Sequence, residues 1–251
     1  MRTFGKISIF IIISILFLGC DQKLEVTKNF KISNFILEIY NKQNKQDFLL
    51  IAHAGGGING FNYTNSIEAV NNSILNGYNL IEIDLIETRD AKLVGAHDWD
   101  HFKSISNCCK NNQIPSLKEF KNYKIYKDLS TLDYSKINEI FIKNKNLILV
   151  TDKTNNFKLI NSLFTFDKDR IIVEIFGRDN YFKAIDENIK NPMYSTNIGE
   201  LDFIKKYNIK LIAVHSKDFI ANKNAYIELS ENGTIIFVYT SNDVKFIYEN
   251  K

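Results

Sequence analysis

Seven short apolar runs recur along the chain: FLLIAH (48–53), LIEIDL (80–85), NLILVTD (146–152), RIIVEI (170–175), PMYST (192–196), KLIAVH (210–215) and TIIFVYT (234–240). Each has strand length, and most are continuous rather than alternating, the pattern of strands buried on both faces of a parallel sheet. Between them lie segments with apolar residues at helical spacing. NSIEAVNNSILNG is the clearest, with Gly77 as its stop. Such alternation predicts an α/β fold, and seven units in series favour a TIM-type (β/α) barrel over an open doubly wound sheet. The eighth unit of a full barrel is missing or atypical, because only SNDVKFIYENK follows the seventh run. An unclosed barrel exposes strand edges. A seam between the first and seventh strands, covered by the N-terminal segment or by a partner, or else a truncated gene product, is therefore expected.

Residues 86–128 interrupt the alternation. ETRDAKLVGAHD reads as a hairpin turning at Arg89-Asp90-Ala91, and PSLKEF starts a helix behind Pro115. The organisation expected is a leader over 1–19, a tether and covering helix over 20–46, and a barrel over 47–251 carrying this insertion. The polar residues within the apolar runs are placed unevenly. His53, Glu82 with Asp84, Asp152, Glu174, His215 and Thr240 all fall at or near the C-terminal ends of their strands. In a barrel those ends meet on one face, where active sites are built.

Composition adds the compartment. The first twenty residues, MRTFGKISIFIIISILFLGC, have two bases, an apolar run from Ile7 to Leu18 broken by Ser8 and Ser14, and then Gly-Cys. That is the layout of an export signal, and the run is shorter than the ~20 residues a spanning helix needs. The ending Leu-Phe-Leu-Gly-Cys resembles a bacterial lipobox, which implies that Cys20 is the acylated first residue of the mature chain. A lipid-anchored protein of the bacterial cell envelope, facing the periplasm or the exterior, is the expectation. The formal charge of +3 includes Arg2 and Lys6 of the leader; without them 30 bases face 29 acids. Such a balance gives no electrostatic case for a nucleic-acid partner. Cys108 and Cys109 are adjacent and have no zinc-type spacing around them, so neither a disulfide framework nor a metal site is read there.

Glu82 and Asp84 point to one face of their strand, since side chains alternate with period two. Two carboxylates in an apolar strand are costly to bury unless neutralised. A hard divalent cation with oxygen ligands would do so, as would a salt bridge to Lys153. The two nearby histidines, His53 and His97, weigh toward the cation.

These residues also resemble the glycerophosphodiester phosphodiesterase family. That family has a strand ending His-Arg-Gly, a Glu-Asn-Thr helix start, a Glu-x-Asp strand, Thr-x-Asp-Gly and His-Asp. Here the counterparts are His53-Ala54-Gly55, Thr64-Asn65-Ser66-Ile67-Glu68-Ala69, Glu82-Ile83-Asp84, Thr88-Arg89-Asp90-Ala91 and His97-Asp98. Pro115-Ser116-Leu117 is similar to the family's helix after the insertion, and Val238-Tyr239-Thr240-Ser241-Asn242 to its Trp-Thr-x-Asn strand end. The resemblance runs in order from about Leu49 to Asn242, specific in its first half and loose in its second.

The resemblance implies a TIM barrel that uses a divalent metal, calcium or magnesium, to hydrolyse glycerophosphodiesters or related phospholipid headgroup esters. Glu82 and Asp84 would carry the metal, with His53 and His97 as the acid/base pair. The phosphate-binding arginine is replaced by Ala54 and the first acid of Glu-Asn-Thr by Thr64. The third-strand Glu-x-Lys reads Thr151-Asp152-Lys153, which leaves Asp152 or Glu174 as third ligand. Strict strand parity points Asp152 away from Lys153, though a bulge or strand-end twist could turn it inward. Lys153 and the amides of Gly55, Gly56 and Gly57 could replace the lost arginine at the phosphate, with Trp99 and His101 at the substrate mouth. Asp98 could orient His97 or cap the following loop, and His215 could be catalytic or a core or rim histidine. Two alternatives stand beside hydrolysis. One is a phosphoinositide- or sphingomyelinase D-type phospholipase giving a cyclic product, the other a catalytically inactive lipoprotein that binds such ligands.

Overall fold

In the computed structural model, residues 32–43, 50–109 and 113–239 are described, the side chains of 40–43 excepted. Ten strands and ten α-helices follow in order. The strands are β1 Ile51–Ala52, β2 Leu80–Glu87, β3 Leu93–Gly95, β4 Lys124–Ile125, β5 Leu129–Ser130, β6 Ile148–Asp152, β7 Ile171–Phe176, β8 Asn191–Thr196, β9 Leu211–His215 and β10 Ile235–Tyr239. The helices are α1 Asn34–Gln43, α2 Ile67–Leu75, α3 Trp99–Ile105, α4 Leu117–Phe120, α5 Tyr134–Lys143, α6 Phe157–Leu163, α7 Arg178–Asp186, α8 Leu201–Tyr207, α9 Ser216–Ala221 and α10 Lys223–Glu231.

Seven strands pair in parallel in the order β1-β2-β6-β7-β8-β9-β10, the wall of a (β/α) barrel. All seven coincide with the apolar runs of the sequence. Among the described residues β1 and β10 pair with no common neighbour, so the wall is open there. Residues 48–49 and the SNDVKFIYENK segment lie outside the described residues, as do Thr240, Ser241 and Asn242 of the Trp-Thr-x-Asn counterpart, the leader with Cys20, and residues 20–31 of the tether. No described helix is long and apolar enough to cross a membrane.

Side-chain alternation divides the strands between two cores. The outward-facing set, including Ile81, Ile83, Leu149, Val173, Ile212 and Val214, packs under the helices. The inward-facing set, Leu80, Ile148, Val150, Ile172, Met193, Leu211, Ala213 and Ile235, fills the barrel near the strand starts. Ile32 and Ile36 join this inner core from the N-terminal segment. Ser33 fastens them, its amide donating to Asn191 Oδ1 (3.0 Å) and its hydroxyl to the Asp169 carbonyl (2.9 Å). The expected covering helix is therefore α1, and it closes the end of the barrel opposite the mouth rather than the open edge. Geometry explains this placement: the strand starts present a ring of apolar side chains that must be covered.

The insertion begins as predicted, with β2 and β3 antiparallel and paired Leu85 to Gly95 and Glu87 to Leu93. Ala91 takes a left-handed φ of 53° at the turn. Ser116 and Glu119 form a reciprocal capping box on α4. The remainder was not legible in the sequence: α3 and the β4–β5 hairpin close a separate small core of Val94, Ala96, Phe102, Cys108, Phe120, Ile125 and Leu129. Cys108 and Cys109 are bonded to each other with Cα atoms 3.7 Å apart, a bridge between neighbours that ties no distant segments together.

Candidate active site

The mouth is lined by inward positions toward the C-terminal ends of the strands. Asp84 on β2 stands in register with Asp152 on β6, and Glu82 lies one inward position below Asp84. The three carboxylates each offer an oxygen within 4.8 Å of the other two, and all three residues are buried. Glu174, the alternative third ligand, lies one strand further, on β7, beside β8. Thr151, at the position of the family's glutamate, turns outward beside Ile83. The carboxylate has thus moved by one residue, onto the inner face.

Lys153 completes the group. Its ammonium lies 2.8 Å from Asp152 Oδ2 and 3.3 Å from Asp84 Oδ1. Alternation alone would send Asp152 and Lys153 to opposite faces. A left-handed φ of 65° at Lys153 turns its side chain back over the mouth. The Lys153 contact leaves Asp84 Oδ1 without a hydrogen bond, and Asp152 Oδ1 has none either, although both atoms are buried. Buried carboxylate oxygens without partners are costly. Hard oxygen donors clustered in this way fit a divalent cation of the calcium or magnesium kind.

The electrostatics follow from this crowding. Burial first, then the charges of Asp84 and Asp152, raise the Glu82 carboxyl well above its ordinary range. Burial and then Asp84 push Asp152 up to about 7. Burial also raises Glu174. For Lys153, burial opposes the charge, but its bonds to Asp152 and Asp84 outweigh that and hold it at about 12.

The two histidines flank the acids. His53 follows β1, its Nε2 3.7 Å from Glu82 Oε2, and its side chain is 44% exposed. Burial is the main influence lowering its pKa, with Asp84 acting against it and Lys153 and His97 reinforcing it. Ala54 adopts a left-handed turn (φ 50°, ψ 40°) and its amide donates to Glu82 Oε2 at 2.6 Å. The position of the family's arginine is completely buried and serves the acid cluster with its backbone. His97 arrives from the hairpin, where the Ala96 amide donates to the Asp84 carbonyl at 3.0 Å. Its Nδ1 is 2.6 Å from Asp98 Oδ2. Asp98 also caps α3, with Oδ1 accepting from the His101 amide at 2.7 Å, so both of its expected roles are met at once. That backbone bond, followed by the one to His97, holds Asp98 below the usual carboxylate range.

The other expected contacts have partners of their own. The Gly56 amide donates to the His53 carbonyl at 2.8 Å, so it is engaged locally and is not an open phosphate donor. The glycines here answer to packing and backbone shape. Gly56 has φ 94°, and a Cβ on it would lie 2.1 Å from Ser73 Oγ; Gly55, at φ 80°, presses on Val70 and Ala69 of α2. Trp99 packs edge-on against Phe102 and Phe120 in the core of the insertion. Its position reflects folding of that insertion, the reason an aromatic so placed is a poor pointer to a substrate mouth. His101 stands near His97, ring centres 6.1 Å apart. His215 caps α9 by accepting from the Lys217 amide and stands edge-on to Tyr239 on the far rim. Asn65 was assigned no role from the sequence, yet it is fully buried and holds Asp84 through two hydrogen bonds. Its place between a strand-end histidine and a helix cap was the available signal.

Comparison with known proteins agrees with this geometry. The model of the glycerophosphoryl diester phosphodiesterase family matches residues 53–200. Among curated proteins nothing matches. Among solved structures, the chain is similar to a glycerophosphodiester phosphodiesterase from Parabacteroides distasonis, at 18% identity and a TM-score of 0.61, over 79% of this chain and 86% of that one. A glycerophosphodiester phosphodiesterase from Thermotoga maritima is 18% identical with a TM-score of 0.62, over 80% and 88%. A phosphodiesterase from Oleispira antarctica, solved in complex with the product sn-glycerol-3-phosphate, is 14% identical with a TM-score of 0.65, over 82% and 90%. Identities this low carry the fold alone. The family match covers more than half of the chain and includes His53, Glu82, Asp84, His97, Asp152 and Lys153. This chain belongs to the glycerophosphoryl diester phosphodiesterase family, a family of phosphoric diester hydrolases.

Proposed function

We propose that this protein is a divalent-cation-dependent, lipid-anchored phosphodiesterase that hydrolyses glycerophosphodiesters at the barrel mouth. The observation that carries the reading is the buried Glu82–Asp84–Asp152 cluster, in which Asp152 Oδ1 has no hydrogen bond and Asp84 Oδ1 meets only the Lys153 ammonium at 3.3 Å. Glu82, Asp84 and Asp152 would hold the cation. When bound, it would offset the negative charge of the diester.

This chain's own residues supply the proton chemistry. His53 is held toward its neutral form by burial, so it can accept a proton from the attacking water. Asp98 engages His97 at Nδ1, which fixes the ring and leaves Nε2 as the nitrogen available to the substrate. His97 therefore suits protonation of the leaving alkoxide. Lys153, already over the acids, is the cationic contact for a phosphate oxygen that Ala54 cannot provide. The leader ending just before Cys20 supports anchoring in the bacterial envelope, with the periplasm or exterior as the working compartment.

The test is hydrolysis of glycerophosphocholine and glycerophosphoethanolamine by the full chain, with calcium or magnesium and with EDTA. Release of glycerol phosphate only with cation is expected. Replacing His53 or His97 by Ala should lower kcat by roughly 10²–10⁴-fold while cation binding persists. Undiminished turnover in both variants would overturn the histidine roles, and a cyclic phosphate product would indicate attack by a substrate hydroxyl instead of water.

A further inference from the structure

Asn65 sits where three pieces of the site meet. Its amide donates to the Ala54 carbonyl at 3.0 Å, in the turn that carries His53. Its own carbonyl lies under Gly95 at the end of β3, so close that a Cβ on Gly95 would be 3.1 Å away. Its side chain reaches β2. Nδ2 donates to Asp84 Oδ2 at 2.9 Å, while Oδ1 accepts from the Asp84 amide at 3.0 Å. The residue is 0% exposed and has a left-handed φ of 47°, a conformation that Asn tolerates better than most residues.

The need for this clamp follows from the length of β1. That strand pairs with β2 only through Ile51–Leu80 and Ala52–Ile81. Beyond Ile81 the same edge of β2 has no β1 backbone beside it. The Asp84 carbonyl is taken by the Ala96 amide, and the Asp84 amide by the Asn65 side chain. The carboxamide thus substitutes for a missing strand and, with its other end, engages one carboxylate oxygen. The second oxygen, Asp84 Oδ1, is left without a hydrogen bond and faces Lys153.

We propose that Asn65 is a positioning residue that engages Asp84 Oδ2 and thereby presents Oδ1 alone to the divalent cation. It touches neither cation nor substrate. The inference rests on the cation site proposed above. Residues that hold a metal ligand in this way typically set affinity by roughly 10–100-fold.

Calcium and magnesium titrations of EDTA-stripped full chain by calorimetry, paired with thermal melts, test it. Asn65→Gly keeps the left-handed backbone and removes only the clamp. Ser66→Ala is the matched control, because it removes the α2 cap, an Ala69 amide to Ser66 Oγ bond of 3.1 Å, without touching Asp84. Asn65→Gly should weaken cation binding by about tenfold or more, while Ser66→Ala lowers the melting temperature and leaves affinity unchanged. Asn65→Ser, short but polar, is the second variant if Asn65→Gly does not fold, with the same loss expected. Equal affinity in wild type and the Asn65 variants overturns the proposal, as does an equal loss in Ser66→Ala. If neither Asn65 variant folds while Ser66→Ala does, the residue serves folding and the assignment fails. A wild-type chain that binds no cation would instead overturn the cation site itself, and the positioning role with it.

Discussion

The cation-free protein should become less stable as pH rises from about 5 to about 8, and Asp152 should account for most of the slope. In the unfolded chain an aspartate loses its proton near its ordinary value of 3.8, whereas in the folded protein burial, followed by Asp84, moves Asp152 to about 7. Between those values the folded state holds a proton that the unfolded state has released. The stabilisation is therefore complete below the unfolded pKa and is lost as pH climbs through the folded one. About three pH units at 1.36 kcal/mol each set a ceiling of about 4 kcal/mol. Glu82, also raised, acts in the same direction. His53 acts in the opposite one: below its ordinary 6.5 the unfolded ring takes up a proton that the partly desolvated folded ring resists. A net of roughly 2 kcal/mol corresponds to about 4–8 °C for a chain of this size. Thermal melts in EDTA across this range, on wild type and Asp152→Asn, measure it. Saturating calcium or magnesium should flatten or reverse the slope, because cation and protons compete for the same oxygens. A cation-free wild type that gains stability up to about pH 8 would refute the reasoning, and so would an Asp152→Asn variant with an unchanged slope.

Lys153→Met should tighten cation binding by about tenfold, since an ammonium on Asp84 and Asp152 repels the incoming charge, and should raise KM for the diester. Calorimetry and steady-state kinetics read the two effects, and unaltered cation affinity would count against a Lys153 that shares the cluster with the metal. Cys20→Ser should release the protein from the membrane fraction or leave its precursor uncleaved. A processed, membrane-bound variant on fractionation and immunoblotting would exclude the lipid anchor.

The sequence carried the barrel wall well because its strands are buried on both faces. Continuous runs such as LIEIDL leave little else for the chain to do. The Glu82–Asp84 pair was legible for a related reason, as period two is a property of any strand. Asp152 with Lys153 marks the limit of that rule. A single left-handed residue at a strand end reverses the parity, and no spacing in the sequence reveals it. The Gly56 amide escaped through the same gap, because its direction toward the His53 carbonyl depends on a turn with a left-handed φ of 94°. Asn65 escaped because a buried side chain that replaces a strand has meaning only once β1 is seen to stop after two residues.

The inner core has a consequence for where this protein begins and ends as a physical object. Five of its ten buried residues, Ile32, Ile36, Leu211, Ala213 and Ile235, lie outside the stretch 53–200 that carries the family likeness. That stretch holds every acid of the cluster and both histidines, but only half of the apolar filling beneath them. A gene fragment cut to the recognisable part would inherit the reagents without the vessel. The flanks need only supply volume and apolar surface, which many sequences can do. The boundary of likeness thus marks where the demand on the chain changes from placing particular atoms to filling space.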